Sequence, residues 1–375
     1  SAGLGIPQEF AEQLIVLDYA SMEALDLIEN LSGEIAAVLV EPVQAAQPHI
    51  QPKEFLRELR TLTQARGILL IFDEMITGFR ACPKGAQGYF GVHADIATYG
   101  KIPGGGMPTG MIAGAAKYMD LIDGGTWRLD DDSMPNLKRI YIGGTHTRNP
   151  LKLAAARAAL TEMKKRCSGS LECRTCSCFQ KELNSTTRGM AERLNAFFQE
   201  RNVPVRADHF SSLFKFRFLD SPFGVVRELF LVLLRMHGVE TSVSGNFFLT
   251  TAHDATHVAA IVQAAKDSID ALLAAGFFVP ADPVESSVNG SAQDEMRGQG
   301  AARAKKRGGD RQALHERGTV VRRGRHRGWG DGGVGVWEAG KPGVSNLPHA
   351  QPPILRSFPA CVARRCSPTC ARPAP

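Results

Sequence analysis

No apolar run in this chain approaches the roughly 18 residues that a membrane-spanning helix needs, and no basic n-region followed by an apolar h-region opens it at Ser1. The expectation is a soluble, cytoplasmic protein without a signal peptide or membrane partner. A disulfide framework of the secreted kind is also missing. The 8 cysteines fall into a single Cys82, a cluster (Cys167, Cys173, Cys176, Cys178) and a terminal group (Cys361, Cys366, Cys370). The cluster holds one CxxC, Cys173 to Cys176, and no second one to complete a zinc site. No metal is expected, and the stretch at about 167–178 reads as a cysteine-rich surface insertion.

A basic surface is equally absent from most of the chain. The formal net charge is +6, yet residues 281–375 carry 16 Lys+Arg against 8 Asp+Glu, which leaves 28 against 30 for residues 1–280. The tail, with GQGAARAKKRGGDRQ and VRRGRHRGWGDGG, has no apolar period and much Gly, Arg and Pro. Arginine-glycine segments do bind RNA, but only Trp329 and Trp337 interleave here. A disordered extension over 281–375 is expected, and nucleic acid is not an expected partner.

What is present is alternation. IAAVLV at 35–40 is a short apolar run of the buried parallel-strand kind. PKEFLRELRTLTQARG follows as a helix, opened by Pro52 and ended by Gly67. GILLIFD, ADIATYG and GMIAGAA then read as strands, and Asn149-Pro150 opens a further helix. Strand, helix, strand implies an α/β layer with a mostly parallel sheet. From residue 211 the pattern becomes β-α-β-α, and its last helix is capped by Asp254. The division expected is a major domain over 1–205, a small α/β domain over 206–280 and the tail over 281–375.

Two stretches carry chemistry. The strand at 68–73 ends on Asp73 and Glu74, and Lys101 leaves a strand between Gly100 and Gly104. The glycines are no Walker loop, since Ile102 follows Lys101, and no dinucleotide fingerprint, since they come after the lysine. A desolvated lysine among small residues can form a Schiff base with an aldehyde. The aldehyde that most often meets such a lysine is pyridoxal phosphate, whose ring nitrogen needs an acidic partner. Asp73 stands at the carboxyl end of a buried strand, where open α/β sheets place ligand-binding residues. Taken alone, Asp73 would pass for a cap or loop acid, Lys101 for a surface lysine, Met75 for core and Thr145 for a turn residue.

Four motifs decide between these readings. VEPVQ (40–44), FDEMITGFR (72–80), ADIATYGKIPGGGMPTG (94–110) and GGTHTRNPL (143–151) resemble the class III aminotransferases. The likeness is narrower to glutamate-1-semialdehyde aminomutases, and narrower still to the aminotransferase domains embedded in polyketide and peptide synthases. It runs from about residue 1 to 280. The resemblance implies a PLP-transferase fold of type I, here a partial major domain plus the small C-terminal domain. It implies that Lys101 holds pyridoxal 5'-phosphate, Asp73 pairs with the ring nitrogen and Met75 lies against a ring face. Thr145 would reach the phosphate of a neighbouring subunit in a homodimer. Glu41 and Glu74 match the motifs and are assigned only support of the site.

The activity implied is transfer of an amino group from a donor onto a keto or aldehyde acceptor, with an acyl-carrier protein as one candidate bearer of that acceptor. Two alternatives stand beside it: an aminomutase shifting an amino group within one small molecule, and a catalytically silent fragment. The last is suggested because the family's first strands, its main phosphate loop and a ring-stacking aromatic would precede Ser1, so weak cofactor binding is expected.

Overall fold

The computed structural model describes residues 5–128, 130–168, 177–219, 224–242, 244–278 and 317–322. These fall within one compact unit spanning residues 1–325. Its larger sheet has six strands: β1 (Leu14–Asp18), β2 (Ile35–Val40), β3 (Leu69–Glu74), β4 (Ile96–Gly100), β5 (Gly110–Gly114) and, from far along the chain, a strand at Arg317–Arg322. β2, β3 and β4 run parallel as expected, and β5 closes the edge antiparallel to β4.

Local chemistry sets the crossovers. The helix α1 (Met22–Asn30) joins β1 to β2 and begins where Ser21 Oγ accepts the Ala24 N–H at 3.3 Å. The helix α2 (Lys53–Arg66) joins β2 to β3 and stops at Gly67, whose φ of 63° lets the chain turn out of the helix. Leu56 and Leu59 of α2 join Ile28, Ile35, Leu70 and Phe72 in one core. Asp95 fixes the start of β4: its Oδ2 accepts from Leu70 N at 3.0 Å and from Arg60 Nη1 at 2.9 Å. After β3 comes the short helix α3 (Gly85–Phe90), and after β5 come α4 (Ala116–Asp123) and α5 (Pro150–Lys165), the last capped by Asn149 Oδ1.

A second core forms around α6 (Phe179–Glu200), the antiparallel strands β6 (Val205–Phe210), β7 (Leu213–Phe218) and β8 (Asn246–Phe248), and the helices α7 (Val225–Met236) and α8 (Ala255–Ala274). Aromatic rings fill it, with Phe216 and Phe230 4.9 Å apart and Phe214 and Phe247 5.1 Å apart. Met190, Leu194 and Phe198 of α6 belong to this core. α6 also reaches the first region, where Gln180 Nε2 donates to the Phe79 carbonyl at 3.3 Å and Asn184 Nδ2 to the Ala81 carbonyl at 2.8 Å.

The tail departs from expectation at one segment. Arg317–Arg322, here β9, lies between β1 and β2 and runs antiparallel to both, giving the order β1-β9-β2-β3-β4-β5. The physical reason is the run Thr319-Val320-Val321, three β-branched residues whose fit to a strand the Arg/Gly composition around them masks. Val320 is 1% exposed and joins the first core. The rest of 279–375, and most of the cysteine-rich stretch, lie outside the described residues. Cys82, the single cysteine of the sequence reading, is disulfide-bonded. No helix among the described residues is long and apolar enough to cross a membrane.

Candidate functional site

The site grows from the carboxyl ends of three parallel strands. Register pairs Val40 with Phe72 and Asp73 with Thr98, so Glu41, Asp73 and Thr98 follow one another across the sheet at one level. Thr98 Oγ1 donates to Asp73 Oδ1 at 3.3 Å, and the Met75 N–H donates to the same oxygen at 3.0 Å. These two bonds orient the carboxylate. Among the described residues nothing donates to Oδ2, which leaves an acceptor free for a ligand.

Lys101 is the residue after β4, one strand over from Asp73. Its backbone has φ 60° and ψ −93°, a left-handed conformation that lysine rarely adopts. Strain of this kind costs of order 1–3 kcal/mol and persists only where the surroundings impose it. The surroundings are visible. A side chain on Gly100 would meet Met75 Cε at 2.3 Å, so the glycine leaves room for the flexible Met75 tip to lie against the strand end next to Lys101. On the other side, Gly104 and Gly105 turn tightly against α5, where a methyl on Gly105 would meet the Ala155 carbonyl at 2.8 Å. Sterics thus hold the lysine's base from two directions while its side chain stays exposed.

Electrostatics tie three of these residues together. Glu41 feels both the Asp73 carboxylate and the Lys101 ammonium; burial is the larger influence and, with Asp73, pushes it up to about 7, while the Ala45 N–H and Lys101 pull it back. Tyr19 supports the turn after β2, its hydroxyl donating to the carbonyls of Glu41 at 3.1 Å and Pro42 at 3.0 Å.

Glu74 is turned away from this edge. It is fully buried and accepts from Thr77 Oγ1 at 2.9 Å, Ala86 N at 2.8 Å and Gln87 N at 3.0 Å. Burial pushes its carboxyl up and these donors draw it down. It is a brace that folds the 75–84 loop back onto the start of α3. The second acid of the opening pair therefore serves the frame of the site.

Thr145 lies elsewhere. It lines a cleft of about 600 Å³ with Thr109, Thr147, Arg148 and Lys152, at the amino end of α5. Thr109 Oγ1 is buried there without a hydrogen-bond partner among the described residues. Two cations, hydroxyls and a helix amino terminus suit a phosphate. Within this one chain the structure brings Asp73, Met75 and Lys101 together and leaves Thr145 in its own cleft, whose Thr109 and Gly110 lie eight and nine residues after Lys101.

Sequence reasoning passed over Thr98, Thr109 and Tyr19, and assigned Glu41 only support of the site. Strand register could have found Thr98 and Glu41, since residues level with Asp73 on adjacent parallel strands share its face. Nothing in the sequence marks Thr109 or Tyr19.

Residues 7–201 match the model of the family described as "Aminotransferase class-III". The chain is 37% identical over 218 residues to the glutamate-1-semialdehyde 2,1-aminomutase of Legionella pneumophila (strain Lens), an alignment covering 58% of this chain and 46% of that protein. It thus spans about half the length of the curated relatives it matches. Among solved structures it superposes on an omega-transaminase from Sphaerobacter thermophilus with a TM-score of 0.60 at 26% identity, covering 72% of this chain and 59% of that one. A transaminase with PLP bound gives a TM-score of 0.62 at 22% identity, covering 74% and 62%, a likeness of fold.

Proposed function

The chain belongs to the class III aminotransferases, and from that membership we propose that it carries the cofactor-holding centre of a pyridoxal-phosphate-dependent aminotransferase. The reaction is transfer of an amino group from an amino donor onto a keto or aldehyde acceptor. The observation that supports this reading is that Asp73 ends one strand and Lys101 follows the neighbouring one, with the Met75 tip against Gly100 and with no donor to Asp73 Oδ2 among the described residues.

The residues fit the group. Asp73 Oδ2 is an anionic acceptor suited to a protonated ring nitrogen, and Thr98 and Met75 N keep it oriented. Lys101 Nζ is the exposed amine at the strand end, suited to hold the aldehyde carbon. The Thr109–Thr145–Arg148–Lys152 cleft suits the phosphate, supplied across a homodimer as the resemblance implies. When bound, pyridoxal phosphate supplies the carbonyl that takes up the amino group and a ring that draws electrons from the substrate carbon. Once the donor's amine has displaced it from the aldehyde carbon, the free Lys101 Nζ would be the base placed to take a proton from the substrate carbon and to return it across the C–N unit. Met75 would lie against a ring face, as the resemblance implies.

The stretch GGTHTRNPLKLAAARAAL supports an acceptor carried by an acyl-carrier protein, as in polyketide and peptide synthases. The name of the Legionella relative favours a second reading, an aminomutase that moves the amino group within one molecule. Titration with pyridoxal phosphate tests the common core of both. A visible absorbance band that Lys101→Ala abolishes is the expected result, and a band unchanged in that variant rejects the site.

A further inference from the structure

Glu41 is the acid at this edge to which the proposed chemistry gives no task. Val40 pairs with Phe72, so the next residues, Glu41 and Asp73, stand level on adjacent parallel strands, roughly 4.8 Å apart in backbone. Two donors serve Asp73. Among the described residues Glu41 Oε2 receives only the Ala45 N–H, at 3.3 Å, in a half-buried position. Burial disfavours a charge on a carboxyl served by one long hydrogen bond, and a second acid level with it on the adjacent strand adds to that, so Glu41 is raised from 4.5 to about 7. Among the described residues, three titratable groups act on or are acted on by Glu41: Tyr19 after β1, Asp73 at the end of β3 and Lys101 after β4. Burial, the larger cause, and then Glu41 push the Tyr19 hydroxyl far up, so it stays neutral.

We propose that Glu41 is a positioning residue that holds a proton in the folded site, and that its ionisation adds one negative charge to the sheet edge that bears Asp73 and Lys101. The consequence for ligands rests on the cofactor reading above. A phosphate-bearing aldehyde is anionic, so it binds best while Glu41 is neutral and its affinity falls as Glu41 ionises. The sign for stability is the same. An acid whose folded value is raised from 4.5 to about 7 adds stability that is full below 4.5 and is lost as pH climbs through 7.

Three measurements on the full chain test this. In carbon-13 spectra of chain labelled at the glutamate carboxyls, one resonance should titrate near 7 and be missing from Glu41→Gln. If the variant loses only a resonance with a midpoint below about 5.5, the inference is overturned. Between pH 5 and 8 the wild-type melting temperature should fall relative to Glu41→Gln, and parallel curves overturn it. Should that variant fail to fold, Asp73→Asn should move the midpoint near 7 downward, and an unmoved midpoint counts against the coupling. With pyridoxal phosphate as probe, wild-type affinity should weaken by up to about tenfold per pH unit above 7 and that of Glu41→Gln should not; equal slopes overturn the positioning role. If the spectra and melting curves behave as expected but wild type takes up no pyridoxal phosphate, the cofactor reading fails and the proton on Glu41 stands.

Discussion

The carboxylate of buried Glu74 occupies the space that a side chain on Gly85 would need: a methyl built on Gly85 would meet Oε2 at 2.5 Å. Gly85 also holds a φ of 66°. Close approach by that backbone lets Ala86 and Gln87 donate to one carboxylate, so the acid and the glycine define the loop between them, which carries Met75 and Arg80. Gly85→Ala should destabilise the chain by about 1–3 kcal/mol, from strain and from displacing a buried acceptor. Glu74→Gln, which turns a donor toward one of those N–H groups, should cost a similar amount. Chemical denaturation checks both, and an effect below about 0.5 kcal/mol for each would show that the brace is not structural.

Lys101 and Asp73 should separate in their effects on cofactor. Lys101→Ala should abolish the visible band outright. Asp73→Asn should keep it but weaken affinity by about 10- to 150-fold, the worth of one charge-assisted hydrogen bond of about 1.5–3 kcal/mol. Single-wavelength titration reads both. Equal affinity in wild type and Asp73→Asn would remove Asp73 from the ring nitrogen.

The sequence showed the strands of this edge because buried parallel strands are continuous apolar runs, and IAAVLV and LLIFDE are bounded by helix and loop signals. It singled out Asp73 and Lys101 because the motifs around them are long. It did not show that Glu74 turns inward, since adjacent residues on a strand point to opposite faces and the acid pair reads as one feature. Val320 was hidden for a different reason. Its strand is six residues long within an Arg/Gly-rich stretch, and its partners lie some 280 and 300 residues earlier. Long-range pairing leaves no local period to read. The cleft around Thr145 depends on Thr109, a hydroxyl whose burial is a property of the packed chain alone.

Arg80 joins the first core to the second. Its Nε donates to the Ile76 carbonyl at 3.1 Å, its Nη1 donates to Ser212 Oγ at 2.9 Å, and its guanidinium lies 4.4 Å from the centroid of Phe248. Burial pushes it down to about 10. Arg80→Ala should leave the Ser212 side under-packed and destabilise the chain by about 2–4 kcal/mol. Arg80→Lys should recover only part, because a single ammonium cannot both stack on Phe248 and keep two directed bonds. Melting temperatures of the two variants check this ordering, and a lysine variant as stable as wild type would show that charge alone matters.

The strand at 317–322 gives the last prediction. β1 hydrogen-bonds to the sheet through β9 among the described residues, with Leu14 opposite Val321 and Asp18 opposite Arg317. Val320 is buried between β1 and β2, so Val320→Asp would put a carboxylate into the apolar core. The expected cost exceeds about 3 kcal/mol, and β1 should be the first element released because its ladder has no other partner. Truncation after residue 280 should act the same way, although composition alone marks that tail as removable. Hydrogen exchange on residues 14–18 and 35–40 is the measurement. Val320→Asp should speed exchange in both segments while 69–74, held between β2 and β4, stays protected. Unchanged exchange at 14–18 in the variant, or in the truncated chain, would show that β9 is not what holds β1 to the sheet.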